Sequence, residues 1–333
     1  MAGTDVMRRM GRRTFMKSLA LTGTAMLPGG AALAVEGFSD GDAAIFRFLA
    51  AAETIETDAW QQYAELANGN PDYMAALAVI DSDMPSYLTQ QTADSGSHAA
   101  FLNAFLVAMH RKPVNLDAFR TLPSSQATGA AQIGRLTNLM HLSVDTSWYL
   151  RYRSTGNPDF GDTFGQVETI VNRPGIPLHD GYTANQIQAI ANTGAFHFAL
   201  LEQAGSSLYD AMSLKASGIV PLRILTAIGG TEVAHFAIWH DKVGDVPLVD
   251  SGDGLVFNPL PDTDEVMPHP CKFISLNLPL CSVIRPTSVA QAGAVAIATK
   301  VVNSNLLLGQ SQQFLDTVIA LAEAADRAMR HAD

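Results

Sequence analysis

Glu232 and His235 stand three residues apart in the apolar stretch that runs from Thr226 to Asp241. On a helix, that spacing turns a carboxylate and an imidazole to the same side. Such a pair is half of a carboxylate-bridged two-metal site inside a four-helix bundle, where a second pair faces it. Alone, the pattern arises by chance in many chains of this length. Its company gives it weight. Glu202 lies upstream on another apolar stretch of helical length, and Glu53, Glu56 and His98 form a matching group earlier in the chain.

The first of these stretches, Asp42 to Leu66, carries Ile45, Phe46, Leu49, Ala52, Trp60 and Tyr63 at helical spacing. Positions 49, 52, 53, 56, 60 and 63 share a broad face, which sets Glu53 and Glu56 beside an aromatic stripe and leaves Asp58 and Glu65 elsewhere. A carboxylate on an apolar face is costly unless it is paired, protonated or bound to a metal. Tyr63 follows Glu56 by seven residues and Tyr209 follows Glu202 by seven, as Trp60 follows Glu53. Seven residues is about two helical turns, so each ring is expected along the same line as its acid. Without a metal, Glu53, Glu56 and Glu202 read as buried acids satisfied by tyrosines, and His98 and His235 as hydrogen-bonded core histidines. His197 and His240 read as surface or packing residues.

The elements that would position these groups are helical. Asp40 or Asp42 is the expected N-cap of the first helix, and Asn68-Gly69-Asn70-Pro71 its end. A short helix is expected over Tyr73–Ile80 and a long one from Pro85 to His110, with Gly96 as a weak point. Residues 111–183 are rich in turn signals, with one helix expected over Gln132–Tyr149. Two long helices follow, Asn185–Leu214 interrupted at Gly194, and Pro221–Val243. Residues 244–286 are rich in Pro and Gly, with a short strand signal at Cys271–Leu278, and helices are expected from Ser288 to Lys300 and from Asn303 to Arg330. The expected class is all-α: four long helices paired across one long crossover, the ferritin-like arrangement, with extra C-terminal helices. The bundle would occupy residues 40–245, with 111–183 as its insertion and 246–333 packed on it.

The segments Glu53-Thr-Ile-Glu56-Thr-Asp-Ala-Trp60-Gln-Gln-Tyr63, Ser97-His98-Ala-Ala-Phe-Leu102 and Glu232-Val-Ala-His235-Phe together resemble the ferritin-like superfamily. The likeness is to exported bacterial ferritin-like domain proteins related to the desiccation-related group, and it leaves the C-terminal third unexplained. It implies a bundle whose centre holds two iron or manganese ions. The implied ligands are Glu53 or Glu56 from the first helix, His98 from the second, Glu202 from the third, and Glu232 with His235 from the fourth. Tyr63 and Tyr209 would stand behind them. One position departs from the pattern: three residues before His98 stands Ser95, not Glu, and Asp94 is the nearest substitute. A missing bridging carboxylate weakens a second metal more than the first. The resemblance thus implies oxidation or oxidative-stress chemistry. The alternative is a non-catalytic scaffold in envelope stress or desiccation tolerance, with a degenerate metal site.

Gly11-Arg12-Arg13-Thr14-Phe15-Met16-Lys17, a soft apolar run from Ser18 to Leu27 and Ala32-Leu33-Ala34 resemble a twin-arginine export signal, so residues 1–34 are expected to be removed. That route carries folded proteins to the periplasm or beyond, which suits a chain that takes up a metal before export. No later segment reaches the ~20 apolar residues of a membrane span. In an oxidising compartment, Cys271 and Cys281 read as a structural disulfide. The 333 residues are 47% hydrophobic and carry a formal charge of -11. With residues 1–34 set aside, 16 bases face 31 acids. Such a polyanion is a poor binder of nucleic acid or anionic membrane, and metal ions are the partners that the resemblance implies. The C-terminal helices offer either a cover for the bundle or a surface for homo-oligomer assembly. No nucleotide-binding glycine loop is present.

Overall fold

In the computed structural model, which describes residues 38–151, 165–261, 275, 277–279 and 293–330, the first long helix starts at a capping box. The Ser39 hydroxyl accepts from the Asp42 amide at 3.0 Å, and the Asp42 carboxylate accepts from the Ser39 amide at 2.9 Å. Two amides that a helix start leaves unpaired are thereby satisfied. Ser39, rather than Asp40 or Asp42, is the N-cap of α1 (Asp40–Gly69). Asn70 ends α1, and its side chain accepts from the Tyr73 amide to start α2 (Pro71–Ile80). Then come α3 (Met84–Ala108), the single turn α4 (Trp148–Arg151), α5 (Ala184–Ser213), α6 (Ile219–Gly244), α7 (Ala294–Asn303) and α8 (Gln312–Asp326). The strands are short: β1 (Leu142–Val144) pairs antiparallel with β2 (Ile170–Arg173), and β3 (Val249–Asp250) with β4 (Val256–Phe257). The chain is mostly helical. None of the helices among the described residues is long and apolar enough to cross a membrane. Arg12, Arg13, the rest of 1–34, Cys271, Cys281 and most of Cys271–Leu278 lie outside the described residues.

Contacts along the four long helices give their directions. Asp40 pairs with Arg111 just past α3 at 2.7 Å, Thr57 faces Gly96, and Asn68 donates to Thr89 at 3.3 Å. Numbers rise along α1 as they fall along α3, so the two run antiparallel. The same test makes α1 antiparallel to α5, through Glu53 with Tyr209 at 2.5 Å and Tyr63 with His197 at 2.8 Å. It also makes α5 antiparallel to α6, where Gly205 faces Glu232 and Tyr209 faces Gly229. It follows that α3 and α5 run parallel. Parallel neighbours cannot be joined by a tight turn, so residues 109–183 must travel back along the helices.

That crossover is bound to α1 by the acids that face away from the centre. Asp58, fully buried, accepts from the amides of Leu136 and Thr137 at 3.0 and 2.9 Å and from the Arg120 guanidinium at 2.6 Å. Glu65 takes the buried Arg135 at 2.5 Å. The helix expected over Gln132–Tyr149 is absent apart from its last residues in α4. Leu136, Leu139 and Leu142 have a helix-like spacing, but the segment is extended and bonds outward: Asn138 N to Leu306 O at 2.7 Å, Ser143 N to Ser304 O at 2.9 Å, and Leu139 O to Gly175 N at 2.9 Å. Nor is α5 interrupted at Gly194. There a Cβ would stand 2.9 Å from the Tyr73 hydroxyl and 3.1 Å from the Gly175 carbonyl, so the glycine serves a close approach and the helix continues. α3 likewise runs through Gly96 unbroken. The helices expected over Ser288–Lys300 and Asn303–Arg330 are the shorter α7 and α8, separated by a turn with Asn305 and Gly309 at positive φ.

The apolar residues form two clusters stacked along the helices. One takes residues 59–67 of α1, Met84 and Leu88 of α3, 187–201 of α5 and 236–243 of α6. The other takes 43–55 of α1, 102–106 of α3, 208–212 of α5 and Leu225 and Ile228 of α6, with α7 and α8 packed on it. Each large side chain so buried contributes about 1.5–3 kcal/mol. Glu56, His98, Glu202, Glu232 and His235 fall in the gap between the clusters on their helices, and Glu53 lies one turn inside the second. The gap is a polar layer held between two dry ones.

Candidate metal centre

Four helices each supply polar groups to this layer. Glu53 and Glu56 come from α1, Gln91, Asp94, Ser95 and His98 from α3, Glu202 from α5, and Glu232 and His235 from α6. Glu202 and Glu232 have no exposed surface, and Glu53 is 2% exposed. His98 Nδ1 stands 3.2 Å from Glu232 Oε1 and 3.4 Å from Glu53 Oε2, and His235 Nδ1 stands 3.4 Å from Glu202 Oε2. Ligand atoms of Glu53, His98 and Glu232 all lie within 4.8 Å of one another, as do those of Glu202, Glu232 and His235. Glu232 belongs to both groups.

The chemistry of the donor set fits divalent cations. Glu53 Oε2, His98 Nδ1, Glu202 Oε2 and both oxygens of Glu232 are buried with no partner outside this cluster, and Ser95 Oγ is buried without a hydrogen bond. Buried polar atoms are satisfied in the great majority of cases, so a concentration of orphans in one layer needs a reason. Ligands at about 2.1 Å from one ion sit about 3.0–3.4 Å from each other, the edge of an octahedron or tetrahedron. The 3.2 and 3.4 Å separations around His98 match that edge.

Protons now hold the acids together. Burial, then the charge of Glu232, pushes Glu53 up to about 7 from 4.5, partly offset by His98 and Tyr209. Burial, with Glu232 and Glu53 beyond it, raises Glu56 well above its usual range, and burial with Glu232 and Glu56 does the same to Glu202. Hydrogen bonding to Glu56 and Glu232 raises Glu202 further and eases Glu56 down, so the proton belongs to Glu202. Burial opposes a charge on His98, but the carboxylates of Glu232 and Glu53 outweigh it and raise the imidazole to about 10. A cation takes the place of such protons when it binds.

The structure assigns several expected residues differently. Asp94 does not point at the acids. Its half-exposed carboxylate meets the outer nitrogen, Nε2, of His235 at 3.1 Å. That contact places the proton on Nε2 and turns the Nδ1 lone pair inward, the carboxylate–histidine support that orients a ligating imidazole. Asp94→Asn is expected to lower metal affinity ~10–100-fold with little change in melting temperature, as read by chelator competition. Tyr63 bonds to His197 at 2.8 Å and reaches no carboxylate. His197 takes the packing alternative: it is buried, and burial lowers it to about 3, so it is neutral. Tyr209 donates to Glu53 on the neighbouring helix at 2.5 Å, not to Glu202 on its own, and Trp60 Nε1 donates to Glu56 at 3.0 Å, not to Glu53. The seven-residue lines give neither pairing: Tyr209 reaches across to α1, and Trp60 bonds one turn back along its own helix.

Two residues of the layer, Gln91 and Gly205, are neither acid nor imidazole and fall outside the ligand pattern. Gln91 Nε2 lies 2.5 Å from Glu202 Oε1 and 2.7 Å from His235 Nδ1; it sits seven residues before His98 on the same face, a line that would have found it. Gly205 faces Glu232, and a Cβ there would stand 2.6 Å from Glu232 Oε2. With Ser95 buried here and Asp94 turned outward, α3 brings no carboxylate to this point, while α1 brings Glu56 besides Glu53. No protein-family model, curated protein or solved structure matches the chain.

Proposed function

We propose that this chain is an exported ferritin-like metalloprotein whose helical centre binds two iron or manganese ions and serves oxidation chemistry. The observation that carries the reading is Glu232, which belongs to two histidine–carboxylate groups at one buried layer. Support comes from the helix order: two antiparallel pairs joined by one long crossover, as in ferritin-like bundles, with inward-projecting Glu and Glu-x-x-His ligands. Glu53, His98 and Glu232 would hold one ion, and Glu202, Glu232 and His235 the other, with Glu56 standing in for the carboxylate that Ser95 lacks. When bound, iron or manganese supplies one-electron exchange with an oxidant such as dioxygen or peroxide. The chain's own residues fix the ligands: Tyr209 holds Glu53, Trp60 holds Glu56, and Asp94 sets the tautomer of His235. The apolar clusters on either side limit water. The twin-arginine-like segment supports loading before export.

A second reading, a scaffold without catalysis, draws on Ser95 and on the Gln91 amide, which satisfies Glu202 and His235 with no metal. A proton count separates the two. Ligands must be deprotonated to bind, so uptake of Fe(II) or Mn(II) at neutral pH is expected to release protons, and affinity to rise by about tenfold per pH unit for each one. Without metal, raised values have the opposite consequence. The stability that Glu53 contributes is complete below 4.5 and is lost as pH rises through about 7. That from His98 is complete below 6.5 and is lost through about 10. The melting temperature of the metal-free protein is therefore expected to fall across that range and to be restored by metal. Calorimetry in buffers of different ionisation enthalpy that found no metal uptake, or uptake without proton release, would reject the metal centre.

A further inference from the structure

Beside the polar layer lies a chamber of about 70 Å³ between α1 and α5, roofed by α7 and α8. Its walls are apolar, with Ala52, Ala204, Ile297 and Val301 among them, and Glu56 is its one charged lining residue. Gly205 forms part of its floor. Gly205 also faces Glu232, whose Oε2 would stand 2.6 Å from a Cβ there, so the residue that floors the chamber packs directly on the shared carboxylate. A second cavity of about 190 Å³ shares Leu201, Ala204, Val301 and Leu306 with the first, so the two are neighbours, and Asp145 and Lys300 line the second. On the other side of the layer, His98 lies in a separate open groove of about 590 Å³ with Ser97 and Arg223.

We propose that the chamber under α7 and α8 binds a small uncharged apolar molecule of dioxygen's class and brings it to Glu56, the acid of the polar layer that lines it, apart from the groove at His98. The proposal rests on the metal-centre reading and names the co-substrate of that same site. Size and polarity both restrict the occupant. A cavity of about 150 Å³ holds benzene, so this one admits only a few heavy atoms. Water needs two to four polar partners, and these walls offer it few. A charged species would lose its hydration without compensation on the way in. The placement also gives the C-terminal helices a role: α7 and α8 complete a wall that the four long helices leave open.

The test uses crystals of the full chain under xenon pressure, with and without metal. Xenon is expected in the chamber beside Ala204. Ala204→Phe, and independently Ala298→Leu on the α7 side, are each expected to remove it without changing helix content or metal stoichiometry. In the loaded protein, both variants should raise several-fold the dioxygen concentration that gives half-maximal oxidation, with the limiting rate unchanged. Absence of xenon from the wild-type chamber overturns the proposal. So does loss of xenon in both variants with an unaltered dependence on dioxygen. Xenon in the chamber of a protein that takes up no metal would keep the pocket and remove the metal centre, so the two failures are told apart.

Discussion

Glu232→Ala is expected to abolish metal binding at both positions, leaving fewer than ~0.2 ions per chain by elemental analysis after loading with Fe(II) or Mn(II). The reason is that Glu232 is the only residue common to the two ligand groups, and both of its oxygens lie buried without another partner. Replacing Glu53 instead removes a ligand of the first group alone, so Glu53→Gln is expected to retain about one ion per chain. The fold should survive in both. The charge of Glu232 helps to raise Glu53, Glu56 and Glu202, so Glu232→Gln, which keeps the volume and removes that charge, relieves the metal-free layer. Lost metal with a melting temperature near wild type is the expected signature, because relief of the three acids opposes the loss of Glu232's pairing with His98. A large drop in stability with metal content unchanged would mean that Glu232 is an ordinary buried structural acid.

Gly205→Ala separates fold from site even more sharply. In a helix interior the change favours folding by about 1 kcal/mol. At this position the added Cβ would stand 2.6 Å from Glu232 Oε2, nearer than atoms can approach. What gives way is the end of a flexible side chain, which can swing aside without disturbing the backbone. The carboxylate is then drawn from the point between the two histidines. The variant should fold as well as wild type or slightly better and bind metal at least tenfold more weakly, since displaced ligand geometry costs as much as a lost supporting contact. Denaturant melts of the metal-free protein and chelator competition read the two effects separately. Unchanged affinity would show that Glu232 does not act from its observed position.

Much of this was legible because charge on an apolar face is rare and has few remedies. Glu53, Glu202, Glu232 and His235 stood out for that reason, and the 3.6-residue period located the four helices that carry them to within a few residues. The sequence was misleading where tertiary contacts decide. Leu136, Leu139 and Leu142 keep a helix-like spacing in a segment whose amides and carbonyls bond to Asp58, Leu306 and Gly175. Gly194 looks like a break but makes room for Tyr73. Asp94 was expected among the ligands because it is the acid nearest the missing one; the helix instead sends it outward to the far nitrogen of His235. Gly205 could not be read at all, because its contribution is the space it leaves.

Anomalous scattering from crystals of the full chain loaded with iron or manganese, recorded on both sides of the metal's absorption edge, tests the centre most directly. Two peaks are expected, about 3.5–4 Å apart: one among Glu53, His98 and Glu232, the other among Glu202, Glu232 and His235. No peak in the layer, or metal bound only at surface acids away from Glu232, would contradict the account and leave a helical scaffold with a buried acid cluster.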